Sequence, residues 1–202
     1  MKIYGDVISP FVRMCLVTVH EADLKDKVEF VKTSVKPNEV NADLQRLSPI
    51  AKIPVLETDH HHAIHDSRVI MEYLAHVGGK SGLIPDDGVK RFKVLTLLAT
   101  AQGAADASVG LRYEQFVRPD DKRWPELQER QKIRVLAALD EIESHWQDSL
   151  ADVTVGTIGV ACLLGYVDFR HGYLNWREGR SALAAFEKGF AARDSMQAWP
   201  LV

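Results

Sequence analysis

Residue pairs at three places in the first third of the chain could do chemistry. Ser9-Pro10 opens a helical pattern. Serine at an N-cap and proline at the first helical position stand where each is favoured. Backbone N–H groups at a helix start point outward with partial positive charge, and a hydroxyl among them can donate to an anion such as a thiolate. An ordinary thiol, with a pKa near 8.5, is only about 3% ionised at pH 7, and bringing it to about 6.5 takes roughly 2.7 kcal/mol. One charge-assisted hydrogen bond plus a helix end supplies energy of that order. The plainer reading is that Ser9 is only a cap.

Lys52-Ile53-Pro54-Val55-Leu56 brings a proline into a strand, where it belongs at the first residue or an edge. With a cis Ile53–Pro54 bond, Ile53 would turn its N–H and C=O outward, able to pair with a peptide-like ligand as an added strand would. With a trans bond, the commoner state, Pro54 merely starts the strand. Asp66-Ser67 precedes another helical pattern. A serine hydroxyl and an unused backbone N–H there suit a carboxylate, and Asp66 suits an ammonium, so together they would receive the α-amino acid end of a small molecule. A plain capping pair explains them equally well.

These pairs need elements to hold them. Lys2–Gly5 and Val28–Thr33 alternate apolar and polar residues and read as strands. A helical pattern follows Ser9, with Phe11, Met14, Cys15, Val17 and Val19 on its apolar side. Val40–Leu47 reads as a short helix stopped before Ser48-Pro49. Ile53–Asp59 and His62–His65 read as a hairpin. Val69, Ile70, Tyr73, Leu74 and Val77 are spaced for a helix that Gly78-Gly79 ends. The order is β-α-β-α-β-β-α, an α/β domain over residues 1–78.

Residues 79–88, rich in Gly, Pro and Asp, read as a linker. Residues 89–202 show no strand alternation and read as an all-α domain. Helical patterns run over 89–117, 124–150, 154–171 and about 179–192, the first with a kink expected near Gly103 or Gly110. The second carries Leu127, Ile133, Leu136, Leu139, Ile142 and Trp146 on its apolar side. The third is apolar all round, as a helix buried on every side would be.

Order and spacing together are more specific than any single pair. The chain resembles the glutathione S-transferase superfamily over essentially its whole length, through SPFVRMC (9–15), SPIAKIPVL (48–56), HDSRVIMEYL (65–74) and GVACLLGYVDFR (159–170). It is most like bacterial members with Ser-Pro-Phe at the first helix. The resemblance implies a thioredoxin-like domain followed by a helical one, and glutathione as co-substrate. It implies that Ser9 contacts the glutathione sulfur, that the Ile53 backbone before Pro54 pairs with the cysteinyl part, and that Asp66 and Ser67 hold the γ-glutamyl end. Phe11 and Lys52 complete the expected glutathione site. It further implies thiolate attack on a small electrophile, for which Arg13, Asp106, Arg112 and Tyr113 are the candidate contacts, in a cleft between the domains. A homodimer, a cytoplasmic setting and a role in detoxification come with the family.

The departures are informative. Ser9 cannot form a mixed disulfide, which argues against glutaredoxin-like exchange. Thr154-Val155-Gly156-Thr157 has Thr where the family's capping box has Asp, worth about 1 kcal/mol at the positive helix end. His60, His61 and His62, with His65 nearby, could hold zinc or nickel. Alternation puts His61 on the face opposite His60 and His62, so exposed hairpin histidines and no metal are expected. His20, His76, His145 and His171 read as surface or helix-end residues.

Composition bounds the rest. Among 202 residues, 25 Lys and Arg against 28 Asp and Glu give a net charge of −3, which disfavours a nucleic-acid partner. Cys15 and Cys162 are too few for a disulfide framework and sit among apolar neighbours, as buried thiols of a reducing compartment would. No run of 18 apolar residues suggests a membrane span. Two other functions fit the pattern: a different glutathione-dependent enzyme (isomerase, peroxidase or dehalogenase), and a non-catalytic binding or scaffold protein of the same fold.

Overall fold

In a computed structural model, residues 1–60, 62–86 and 88–201 are described. The chain divides into two compact units, Met1–Arg91 with Arg193–Val202, and Phe92–Ala192. The first unit is thioredoxin-like. Its elements are β1 (Lys2–Gly5), α1 (Pro10–Glu21), β2 (Glu29–Lys32), α2 (Ala42–Leu47), β3 (Val55–Glu57), β4 (Ala63–Ile64) and α3 (Ser67–Val77). This is the β-α-β-α-β-β-α order expected from the sequence.

The strands form one sheet in the order β2-β1-β3-β4. β1 pairs parallel with β2, placing Ile3 beside Phe30. β1 is antiparallel to β3, with Tyr4 opposite Val55, and β3 is antiparallel to β4, with Leu56 opposite Ile64. Thr58 and His62 close the hairpin by a backbone bond of 2.9 Å; His61, in the middle of the histidine run, lies outside the described residues. Ile3, Val55 and Leu56 of the sheet and Val12, Met14, Leu16, Ile70, Met71 and Leu74 of the helices are fully or almost fully buried.

α3 stops at a Schellman turn. Gly79 has φ +64, its N–H reaches the His76 carbonyl (3.0 Å), and the Lys80 N–H reaches that of Ala75 (3.0 Å). A residue with a Cβ would be strained there.

The second unit is all-helical: the rest of α4 (Gly88–Phe116), then α5 (Pro125–His145), α6 (Val155–His171) and α7 (Ser181–Ala191). α4 is one continuous helix through Gly103 and Gly110. By length and composition α4 could cross a bilayer, but half of its most apolar window is buried in the protein. The buried residues of α5 are Val135, Leu139 and Ile142, spaced four and three apart, while Ile133 is 48% exposed. The expected stripe was therefore mis-phased at its first turns.

α4 and α6 run parallel and close. A Cβ on Gly156 would lie 2.9 Å from the Val94 carbonyl, and one on Gly159 would lie 2.9 Å from Leu98 Cδ1. Further along, His171 Nε2 lies 2.9 Å from the Ser108 carbonyl. His171 is fully buried, which corrects its reading as a surface or helix-end residue: it ends α6, but as an internal strut to α4. The α6 start works without an acid. Thr157 Oγ1 accepts from the Thr154 N–H at 2.9 Å and donates to the Asp152 carbonyl at 2.9 Å, so a hydroxyl closes the capping box.

The last ten residues depart from the expected division, which put 89–202 in one domain. Residues 193–202 belong with the first unit. The short α8 (Asp194–Gln197) packs on α1. Arg193 donates to both Glu21 oxygens (2.8 and 2.9 Å), and Ser195 Oγ donates to one of them (2.5 Å). The Trp199 ring meets that of Phe30 edge-on, with centroids 5.2 Å apart. Ion pairing and ring contact together fix the tail to α1 and β2.

Candidate functional site

Topology brings the chemically interesting pairs of the first unit to one end of its sheet. β1 ends at Gly5 and leads to Ser9. β3 runs the other way, so Ile53-Pro54 at its start lies at that same end. β4 reverses again and delivers Asp66-Ser67 there. Cys15 Sγ, buried at the middle of α1, reaches the Ser67 carbonyl at 3.7 Å and ties α1 to the start of α3.

Ser9 is the N-cap of α1, partly exposed. Its N–H bonds the Asp6 carbonyl at 2.9 Å, and Asp6 Oδ1 accepts from the Ile8 N–H at 3.1 Å, so a compact turn sets the cap. Ser9 Oγ accepts from the Val12 N–H at a long 3.5 Å. A hydroxyl has two acceptor sites and one donor, so capping leaves the O–H available to an anion. Phe11, half-buried, follows in the first turn.

The Ile53–Pro54 bond is cis. The ladder with β1 begins at Val55, so Ile53 faces no strand partner there. Pro54 is buried and Lys52 exposed. The His65–Asp66 bond is cis as well.

Asp66 caps α3, accepting from the Arg68 N–H at 2.8 Å. Its two oxygens also take the Arg68 guanidinium at 3.2 and 3.1 Å. Partial burial pushes the Asp66 carboxyl up, but the bonds from Arg68 and Ser67 outweigh it and hold the group below the usual carboxylate range. It is an anion at neutral pH, with acceptor sites to spare. Ser67, 5% exposed, is the first residue of α3.

Of the four residues expected to meet an electrophile, Arg13 belongs to the first unit and Asp106, Arg112 and Tyr113 to the second. Arg13 is a correction. It is 7% exposed, and its guanidinium donates to the Trp199 carbonyl (2.9 Å) and the Met196 carbonyl (3.4 Å). It is spent holding the C-terminal tail. Asp106 is exposed on α4. Arg112 and Tyr113 stand near the end of α4, where α6 brings Tyr166 and Arg170 beside them. The sequence reading missed that pair; its signal was a tyrosine and an arginine four apart in a largely apolar helix. Burial and the neighbouring Tyr113 push the Tyr166 phenol up to about 12, against the pull of Arg170 and Arg112.

Among the described residues no group of three or more His, Cys, Asp or Glu side chains is arranged to hold a metal ion. His65 Nδ1 is buried without a hydrogen-bond partner among them.

Comparison with known proteins places this geometry in context. Residues 8–77 match the family described as Glutathione S-transferase, N-terminal domain, and residues 125–188 match Glutathione S-transferase, C-terminal domain. An uncharacterized GST-like protein of Escherichia coli (strain K12), YibF, is 27% identical over 198 residues, 96% of each chain. A glutathione transferase family member from Pseudomonas fluorescens Pf-5, crystallised with bound glutathione, is 37% identical, with TM-score 0.95 over 100% of this chain and 99% of the other. A second Pseudomonas fluorescens Pf-5 structure, 36% identical with TM-score 0.90 over 100% of both chains, holds S-(propanoic acid)-glutathione.

Proposed function

The chain belongs to the glutathione S-transferase superfamily, and on that premise we propose that it binds glutathione at the shared sheet end and transfers the activated thiol to a small electrophile. The observation that carries this is the arrival of Ser9, the Ile53-Pro54 entry to β3 and the Asp66-Ser67 pair at one end of one sheet. The bound glutathione of the relatives supports it.

The roles follow from the groups. The Asp66 carboxylate receives the glutathione ammonium, and the Ser67 hydroxyl and N–H receive its α-carboxylate. The Ile53 backbone pairs with the cysteinyl segment as a neighbouring strand would. Phe11 and Lys52 flank it. The Ser9 O–H donates to the sulfur and stabilises the thiolate as the thiol proton leaves to solvent. The sulfur lone pair then forms the S–C bond while the electron pair of the broken bond departs with the leaving group or settles on the acceptor. No covalent bond to the enzyme forms. A homodimer, a cytoplasmic setting, a role in detoxification and a functional division near residues 79–88 belong to the same reading, supported by family membership.

Titration calorimetry with glutathione tests it. Wild-type protein is expected to bind, and Ser67→Ala to bind roughly 10- to 100-fold more weakly, the scale of a lost hydrogen bond to a charged group. Absence of binding by the wild type at millimolar glutathione would replace the enzyme reading with the scaffold one.

A further inference from the structure

At the end of α3 opposite the Asp66-Ser67 pair, the first unit holds a cavity of about 230 Å³. Ser67 and His76 are nine residues apart (76 − 67), which is about 14 Å along a helix rising about 1.5 Å per residue. The cavity is therefore separate from the groups expected to hold glutathione. Its floor is apolar: Ala75 of α3 and Ile84 of the following loop are each 5% exposed. Its walls are polar. The Schellman turn at Gly79 sets Lys80 and Ser81 on the rim.

Both strongly basic groups of the wall are already matched. The Lys80 ammonium pairs with Asp23. The Arg91 guanidinium, from the first turn of α4, pairs with Glu72 Oε1 and donates to the Pro85 carbonyl at 3.1 Å. What remains is acceptor capacity. The Asp86 carboxylate, the His76 ring and the Ser81 hydroxyl line the cavity without a side-chain partner among the described residues, and Glu72 Oε2 takes none either. With each base assigned to its acid, Asp86 is the uncompensated charge of the described lining. The wall also includes the last turn of α3, and the carbonyl end of a helix carries partial negative charge. Carboxylate, helix end and free lone pairs select a cation that bears N–H donors. An anion would meet bases whose charge is already taken.

We propose that this cavity binds a small primary amine, with its ammonium on Asp86 and its alkyl body on Ala75 and Ile84. An ammonium has three donors, which match the Asp86 carboxylate, Glu72 Oε2 and the lone pair of a neutral His76 ring. Such a ligand would brace α3 against the segment that enters α4, a contact made in the free protein by the Glu72–Arg91 pair. The site does not depend on the transferase reading.

The experiment follows backbone amide shifts by NMR while the full chain is titrated with n-pentylamine, and with its neutral counterpart 1-pentanol, at neutral pH and low ionic strength. Wild-type protein is expected to shift at Ala75, Gly79 and Ser81. It should bind the amine about tenfold more tightly than the alcohol, the scale of one charge-assisted hydrogen bond. Asp86→Asn should erase that preference and leave the alcohol affinity as it was. Ser81→Tyr, which fills the rim, should abolish binding of both. Equal affinity for amine and alcohol in the wild type overturns the site, as does an amine preference that survives either substitution. Shifts confined to other surfaces mean adventitious cation binding and overturn it too. The titration is repeated with glutathione present. Amine affinity should be unchanged, and competition would move the amine to the sheet end and remove the cavity as its site.

Discussion

Replacing Ser9 separates two roles that one hydroxyl plays. In Ser9→Ala the cap bond to Val12 is lost, and at 3.5 Å it is already at the outer limit of hydrogen bonding. The stability cost therefore belongs at the low end of the range for caps, about 0.5 kcal/mol. For a chain of this size that lowers the melting temperature by roughly one to two degrees. The donor side is worth more. A hydrogen bond to a thiolate contributes about 1.5–3 kcal/mol, so its loss raises the pKa of the bound thiol by roughly one to two units. Ser9→Asp sharpens the contrast. Aspartate caps as well as serine and its charge suits the positive helix end, but it repels a thiolate. The helix should be as stable as in the wild type and the thiol pKa higher still than in Ser9→Ala. The assay is ultraviolet absorbance of the thiolate in the glutathione complex as a function of pH, beside thermal melting by circular dichroism. An unchanged thiol midpoint in Ser9→Ala, with glutathione still bound, refutes the activating role and leaves Ser9 a cap.

Other perturbations test the fold. Gly156→Ala would bring a Cβ to 2.9 Å from the Val94 backbone oxygen and should cost about 1–3 kcal/mol, whereas Gly103→Ala, with nothing within 4 Å, should gain about 0.5–1 kcal/mol; a melting shift of the same sign in both would contradict the packing described. The Glu143 carboxylate caps α7 from a distance, accepting from Ala182 N–H (3.0 Å) and Leu183 N–H (2.8 Å), so Glu143→Ala should lose about 1–2 kcal/mol in chemical denaturation while Glu141→Ala loses little. Burial, with the charges of Arg112 and Arg170, holds the His171 imidazole below its ordinary value against the bond to Ser108. The unfolded chain then binds the extra proton first, so stability is full above about pH 6.5 and falls as the pH drops below it. His171→Gln should flatten that fall in pH-dependent denaturation, and an equally steep fall would discount His171 as its source.

Local signals explain what was legible in the sequence. Strand alternation, caps and Gly-Pro punctuation lie within a few residues of the elements they mark, so the element order and the position of Ser9, Pro54 and Asp66-Ser67 at element starts could be read directly. The features that escaped join residues far apart. Glu21 and Arg193 are 172 positions apart, and Arg13 and Trp199 are 186 apart. No periodicity encodes such a pairing, so Arg13 looked available for a ligand. His171 and Ser108 are 63 apart, and a lone histidine at a helix end does not announce burial. Glu143 was one acid among many on α5 until its partners on α7 were known. In α5 the surplus of apolar residues allowed more than one phase, and only packing selects Val135 over Ile133.

The attachment of residues 193–202 to the first unit has a consequence in time. The helical unit is an insertion, bracketed in the chain by parts of the other. During synthesis at about 5–20 residues per second, the 101 residues from Phe92 to Ala192 (192 − 92 + 1) take roughly 5–20 s to emerge. Throughout that interval the first unit has its sheet but lacks its last helix. Arg13 has no carbonyls to grip, Glu21 lacks Arg193, and the Phe30 ring that will meet Trp199 stays uncovered. The earliest part of the protein to be made is thus among the last to be finished.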